Sequence, residues 1–188
     1  GLEEFFAHGF AAARLDRIAQ RAGVSRATLY LYFDNKETLF AAVADEAMGG
    51  FIDDLEAQTL TFAGTTEELL RQLLHRFYTM IMTTKNSAMM RIMIAEGKSR
   101  PDLVKRYHEL IFRRGRKVLE AIVLRGIERG EVRKSPAAGE AVLLLAPALF
   151  FLIHEMVFGD LEDLDVEAYL TAHIDMLLHG LSTGPKPA

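Results

Sequence analysis

The residues best suited to bind another molecule follow Gly23, on the outward face of a predicted short helix. Arg26 is the most informative of them, because an arginine can donate two hydrogen bonds to a guanine base. Leu29 and Phe33 fall on the opposite, inward face at helical spacing. The outward face carries three further residues, Ala27, Thr28 and Tyr30. The chemistry indicated is recognition through hydrogen bonds and small apolar contacts.

Two short helices joined by a tight turn are needed to hold this face. One side of Leu15–Ala22 is apolar, and Gly23 is predicted to end that helix because glycine adopts the left-handed conformation at little steric cost. Val24 is predicted to fill the corner, and Ser25 to cap the next helix. The pattern indicates a helix-turn-helix, whose second helix enters the DNA major groove by its N-terminal residues. An ordinary helical hairpin is the alternative.

The whole string from Ile18 to Phe40, IAQRAGVSRATLYLYFDNKETLF, strongly resembles the N-terminal domain of the TetR family of transcriptional regulators. The resemblance implies base-edge contacts from Arg26, Ala27 and Thr28. It implies phosphate contacts from Tyr30, Tyr32 and Lys36, although either tyrosine has packing as an alternative role. We predict a DNA-binding set of eight residues: Arg14, Ser25, Arg26, Ala27, Thr28, Tyr30, Tyr32 and Lys36.

The charge distribution supports a local DNA-binding patch. The chain has 188 residues and a net charge of −4, which excludes a polycation that coats nucleic acid. Between Arg14 and Lys36, five basic residues oppose only Asp16 and Asp34, giving a local charge of +3. The resemblance suggests a threonine helix cap near position 13, where this chain has Ala13. Arg14 is the candidate to supply a charge there instead.

Composition also limits other classes of site. There are no cysteines, so disulfides and thiolate metal sites are excluded, and a reducing cytoplasm is expected. The longest apolar run, Ala141–Ile153, has 13 residues, fewer than the roughly 18 of a membrane span. His154–Glu155 begins like a zinc-protease motif, but Phe158 stands where the second histidine is needed. We therefore expect no metal, no cofactor and no membrane association. Because Gly1 already lies within a helical pattern, we suspect that N-terminal residues are missing.

The fold class predicted is all-α. Residues 1–48 are expected to form a three-helix DNA-binding module, with a first helix that Gly9 ends. Residues 49–181 are expected to form a helical effector-binding and dimerisation domain, and 182–188 a loose tail. A helix from Lys36 to about Leu55 would connect the two, although the Gly49–Gly50 pair leaves its continuity open.

Helix boundaries beyond Thr59 are predicted from capping residues and proline. They are a capping box at Thr65 and Glu68, a helix start at Asn86–Ser87, Pro101 in a first turn, a helical end at Gly130, a long helix from Ser135–Pro136 through Phe158 with a kink at Pro147, and a last helix capped by Asp165 and running to about Leu181.

The resemblance implies an effector cavity in this second part. Flexible methionines, aromatic side chains and polar ring atoms are suited to a mostly apolar ligand, although most such residues belong to a protein core. The predicted ligand-binding residues are Phe77, Tyr78, Met82, Met93, Tyr107, Phe112, Phe150 and His154. Phe151 belongs to the same apolar group.

The last helix has more apolar surface than one side of a small bundle needs. In the resembled family, the last two helices pair with their copies, and such a dimer would place two recognition helices about 34–36 Å apart. We therefore expect a homodimeric repressor that binds a palindromic double-stranded DNA operator and is released by a small apolar or amphipathic effector. A helical-bundle enzyme, hinted at only by His154–Glu155, and a protein-interaction module are the alternatives.

Overall fold

The computed structural model describes residues 2–82 and 84–181 and confirms the all-α class for them. The chain forms two compact units. The first unit comprises Gly1–Ile52 and Thr84–Arg114, and the second comprises Asp53–Thr83 and Gly115–Ala188. The functional division at residue 48 remains a prediction, and the predicted tail at 182–188 lies outside the described residues.

The helices are numbered in chain order. They are α1 (Leu2–Ala12), α2 (Leu15–Arg21), α3 (Arg26–Tyr32), α4 (Lys36–Thr61), α5 (Thr66–Ile81), α6 (Thr84–Glu96), α7 (Pro101–Tyr107), a π-helical turn (His108–Phe112), α8 (Arg113–Glu128), α9 (Pro136–Gly139), a 3₁₀ segment (Ala141–Leu145), α10 (Ala146–Phe158) and α11 (Val166–Leu181). Helix α4 is continuous through both glycines and passes from the first unit into the second.

An aromatic cluster builds the core of the first unit. The rings of Phe5 and Phe10 stack with centroids 5.7 Å apart, and Phe40 meets both edge-on. Gly9, at a φ of 73°, kinks α1, so the predicted interruption falls at Gly9, but the helix continues beyond it to Ala12. Ile18, Ala19 and Leu29 are buried in the same core, which fixes α2 against α3. Buried residues of α6 and α7 also join it, namely Met89, Ile92 and Leu103. The helix-turn-helix therefore shares its core with a segment distant in sequence.

Most predicted helix ends in the second part are confirmed. Thr65 and Glu68 form the reciprocal capping box, and Pro101 begins α7. Gly130 has a φ of 71° after α8. The Asp165 carboxylate accepts hydrogen bonds from the N–H groups of residues 167 and 168, at 2.9 and 3.1 Å. These ends depend on residues within one helical turn, which explains why sequence alone predicts them.

Four predictions are wrong. Val24 is 38 % exposed rather than filling the corner. Helix α6 begins at Thr84, before Asn86. The long helix after Ser135 is broken into α9, a 3₁₀ segment and α10. Pro147 consequently lies in the first turn of α10, where its missing N–H costs no helical hydrogen bond, and it does not kink a helix interior.

Candidate nucleic-acid interface

The turn between α2 and α3 is held by Gly23 and Ser25. Gly23 has a φ of 70°, which the chain reversal requires. The Ser25 hydroxyl accepts a hydrogen bond from the Thr28 N–H at 2.9 Å and lies 2.8 Å from the Thr28 hydroxyl. Ser25 is therefore the predicted N-cap of α3. These hydrogen bonds orient the start of α3, and both hydroxyls are also exposed to solvent there.

Arg26 and Tyr30 form a pair on the exposed face of α3. The Arg26 guanidinium lies 5.5 Å from the centre of the Tyr30 ring, and its Nη2 donates to the phenolic oxygen at 3.4 Å. This hydrogen bond is the main reason that the pKa of Arg26 is above its usual value, and the charge of Asp16 contributes. Arg26 is consequently a fixed, permanently charged donor next to the other outward residues.

Arg14 and Asp16 form a second pair at the start of α2. Arg14 Nη2 donates to Asp16 Oδ2 at 2.7 Å, and Nε donates to Oδ1 at 3.4 Å. The N-cap of α2 is Arg14, whose backbone is extended and whose side chain makes no capping hydrogen bond, and Ala13 is buried. The Arg14 N–H instead donates to the buried carboxylate of Glu4 at 3.4 Å. The Arg14 side chain thus makes no capping hydrogen bond to the helix backbone and is paired with Asp16 instead.

The remaining outward positions of α3 are apolar or aromatic. Ala27 is exposed, and Tyr32 is 77 % exposed. Leu31, which the sequence analysis did not select, is 82 % exposed. A leucine this open to water on a helix that also carries Arg26 belongs to the candidate surface.

Lys36 has an intramolecular role in addition to its predicted one. Its ammonium donates to the carbonyl oxygens of Phe10 and Ala11, both at 3.0 Å, at the end of α1. Burial lowers the pKa of Lys36, and the charge of Arg100 lowers it further. An ammonium has three N–H donors, so these two hydrogen bonds do not use all of them, and the phosphate contact stays a prediction.

Arg100, in the first unit but outside the predicted module, contacts residues of the module that the sequence did not indicate. Its guanidinium lies 4.9 Å from the centre of the Phe10 ring and 3.3 Å from the Glu37 carboxylate. It also pairs with Glu96 at 3.4 Å. Arg100 is one of eight basic residues between Lys98 and Lys117, and charge alone does not indicate which of them contacts α1 and α4.

Five of the predicted ligand-binding residues lie in the second unit. Phe77 and Tyr78 are buried there, and the Tyr78 hydroxyl lies 3.1 Å from Nδ1 of His173. Burial raises the pKa of Tyr78 and lowers that of His173. The other three are less enclosed: Met82 is exposed, Phe150 is 58 % exposed, and His154 is half-buried with its ring nitrogens 3.7 Å from Glu155 and Glu162.

Phe151, and not Phe150, packs against Tyr78 in the second unit. The ring centroids of Phe151 and Tyr78 are 5.7 Å apart, and Tyr169 completes the cluster at 5.1 Å from Phe151. Tyr169 donates to the Pro147 carbonyl at 3.1 Å. This aromatic cluster therefore lies within a mostly aliphatic interior, and the Nε2 atom of His173 is buried there without a hydrogen-bond partner among the described residues.

The three other predicted ligand-binding residues, Met93, Tyr107 and Phe112, lie in the first unit. Tyr107 donates to the Met48 sulfur at 3.5 Å, and burial raises its pKa to about 12. Met93 packs against the core, whereas Phe112 is exposed and stacks on His108. The structure thus does not bring all eight residues into one unit.

The first unit contains a cleft of about 730 Å³ with a mostly charged lining, which includes Glu37, Asp102, Lys105 and Arg106. None of the eight predicted ligand-binding residues lines this cleft. In the part of the chain that the structure describes, no three histidine, aspartate or glutamate side chains are grouped to hold a metal ion.

Comparisons with known proteins match most of the chain. The family described as "Bacterial regulatory proteins, tetR family" matches residues 1–43, and "Tetracyclin repressor-like, C-terminal domain" matches residues 63–168. The fatty acid metabolism regulator protein of Bacillus subtilis (strain 168) is 26% identical over 178 residues, covering 93% of this chain and 88% of that protein.

Two solved structures have a similar fold. The transcriptional regulator FadR of Bacillus subtilis, in complex with stearoyl-CoA, has a TM-score of 0.79 at 21% identity and covers 95% of this chain and 94% of its own. The complex of SmeT, a repressor from Stenotrophomonas maltophilia, with triclosan has a TM-score of 0.77 at 25% identity and covers 100% and 94%.

Proposed function

Because the chain belongs to the TetR family of bacterial regulatory proteins, we propose that it is a homodimeric repressor that leaves its palindromic operator when an amphipathic effector binds. It is a DNA-binding transcriptional regulator and not an enzyme, so the enzyme and interaction-module alternatives are not retained. As a protein that acts on bacterial DNA, it is assigned to the cytoplasm.

The observation that carries the proposal is the outward face of α3. Arg26 is held by Tyr30 at the first turn of the helix, and Leu29 anchors the opposite face in the core. An arginine in this position reads guanine through O6 and N7. Ala27 and Leu31 are suited to apolar contact with bases. Lys36 has a third N–H donor for a phosphate of the DNA backbone. Phosphate contacts set the position of the module and base contacts set its sequence preference.

An apolar surface on α10 and α11 supports the homodimer. Phe150, Ile153 and Val157 are exposed along α10, opposite the buried Phe151, and Met176 is exposed on α11. By length and composition alone, the segment Ala141–Phe158 is apolar enough to cross a membrane, and only 28% of it is buried. We assign this surface to a second copy, because a seven-residue recognition helix reads few base pairs and two-fold symmetry supplies the second.

A long-chain acyl-CoA is the effector class we propose. The relatives named above include a fatty acid metabolism regulator and a regulator bound to stearoyl-CoA. The second unit offers an apolar environment, because Phe151 and Tyr169 pack against Tyr78, whose hydroxyl lies 3.1 Å from Nδ1 of His173. Helix α4 contributes residues to both units and is the continuous element available to transmit a change. Coupling of about 1–3 kcal/mol would weaken operator binding about 5- to 150-fold.

The test is a selection from random duplexes with the full chain, followed by footprinting of the enriched duplex and titration with stearoyl-CoA. We expect an inverted repeat, steep loss of affinity with rising salt, and release by stearoyl-CoA but not by free CoA. Enrichment of no duplex would contradict DNA reading. Binding of stearoyl-CoA without any change in operator affinity would contradict induction.

A further inference from the structure

We propose that Asp16 is a specificity-determining residue. On unrelated sequences it pairs with Arg14 and keeps this arginine from contacting the DNA backbone, whereas at the operator a phosphate replaces Asp16 as the partner of Arg14. The proposal rests on the DNA-reading function of α3 and adds a role for an acidic residue within the basic surface.

The geometry of the Arg14–Asp16 pair allows a phosphate to replace the carboxylate. Two hydrogen bonds, at 2.7 and 3.4 Å, align the guanidinium with the carboxylate. The side chains are 61% and 42% exposed, so a DNA phosphate can reach the guanidinium. An exposed ion pair contributes little net stability, because water and salt screen it. A correctly placed phosphate can therefore replace the carboxylate.

Asp16 also lies within electrostatic reach of the base-reading residue. Its pKa is held below the ordinary value, first by the hydrogen bond from Arg14 and to a lesser extent by the charge of Arg26. The same interaction raises the pKa of Arg26. Asp16 is therefore ionised at neutral pH and interacts with both arginines, with Arg14 through hydrogen bonds and with Arg26 through its charge.

The consequence differs between unrelated and operator DNA. Non-specific affinity depends on how many phosphates the cations neutralise. While Arg14 is paired with Asp16, it makes no contact with a phosphate. At the operator, base contacts from Arg26 hold the module in one register, which keeps a phosphate in place long enough to capture Arg14. Asp16 thus lowers affinity for unrelated DNA more than it lowers affinity for the operator.

Asp34 provides a matched control within the same module. It is the other acidic residue between Arg14 and Lys36. Among the described residues, it has neither an ion-pair partner nor a hydrogen-bonded side chain. Asp34→Asn therefore makes the same change in net charge without releasing an arginine.

The experiment compares the wild-type chain with four variants, D16N, D34N, R14Q and R14Q/D16N, on the selected operator and on an unrelated duplex of equal length. Affinities are measured over a range of salt concentrations. D16N should bind the unrelated duplex about fivefold more tightly at 0.15 M salt, with a salt slope steeper by about 0.9, as one added phosphate contact predicts. Its operator affinity should change by less than twofold. D34N should change both affinities by less than twofold.

R14Q tests the same claim independently of D16N. It should lose about 0.9 from the operator salt slope and nothing from the unrelated slope, and in R14Q/D16N the effect of D16N should disappear. The proposal is overturned if D34N matches D16N, if D16N strengthens both duplexes equally, or if its effect persists without Arg14. A wild-type chain with no operator preference would instead contradict the proposed function.

Discussion

Lys36 is bound to Phe10 through both the backbone and the ring of that residue. Its Nζ donates to the Phe10 carbonyl oxygen at 3.0 Å and lies 5.3 Å from the centre of the ring. The side chain therefore caps the end of α1 while it stands at the start of α4. Lys36, which is predicted to contact a phosphate, therefore also links α1 to α4.

Lys36→Met should consequently have two effects. It should lower the free energy of unfolding by about 1–2 kcal/mol, because two helix-end carbonyls lose a charged donor. It should also weaken binding to all duplexes alike and reduce the salt slope by about 0.9. Denaturant unfolding and salt titration measure the two effects separately. Lys105→Met, an exposed change of the same type on α7, is the control, and an unchanged salt slope would contradict the phosphate contact.

Arg26→Ala should instead affect one operator position. We expect discrimination at that base pair to fall about tenfold, with little change at the others, because a bidentate contact to one base is lost. Tyr30→Phe keeps the ring beneath the guanidinium and removes the hydrogen bond, so it should lose only part of this discrimination. Binding to a set of single-base operator variants measures both. Identical profiles for Arg26→Ala and Lys36→Met would contradict the separate roles.

His173 should make the stability of the second unit depend on pH. Burial depresses its pKa in the folded state, so below the ordinary value, about 6.5, the unfolded chain binds the proton more readily. The contribution of His173 is therefore complete above that pH and is lost as the pH falls toward 5. Thermal unfolding between pH 8 and 5 should show a smaller decline for His173→Gln than for the wild type. His75→Gln, an exposed change on α5, should retain the wild-type decline.

Substitution of the exposed face of α10 should dissociate the proposed homodimer. Phe150→Glu combined with Val157→Glu places two charges on that face, and we expect the dimer dissociation constant to rise at least about 100-fold, because burying an unpaired charge costs several kcal/mol. Operator affinity should fall with it. Light scattering and sedimentation measure the assembly, with Leu124→Glu on the exposed side of α8 as the control. A wild-type chain that sediments as a monomer would contradict the assignment.

Sequence alone determined the features that depend on neighbouring residues. Ser25, Thr65 and Asp165 cap helices because each side chain reaches N–H groups two or three residues further on. Gly23 and Gly9 adopt positive φ because the turn and the bend require it locally. The helix-turn-helix and the family resemblance follow from one short stretch of this kind.

Tertiary structure decided the features in which distant segments compete for a side chain. A nearly all-apolar helix such as α10 has no polar side to orient it, so only packing shows that Phe151 is buried and Phe150 is exposed. Apart from Glu96, which lies one helical turn from Arg100, the partners of Lys36 and Arg100 lie 25 to 90 residues away, and no local pattern indicates them. Burial and long-range charge pairing depend on the assembled core. For that reason, only the fold shows which distant partner each charged side chain contacts.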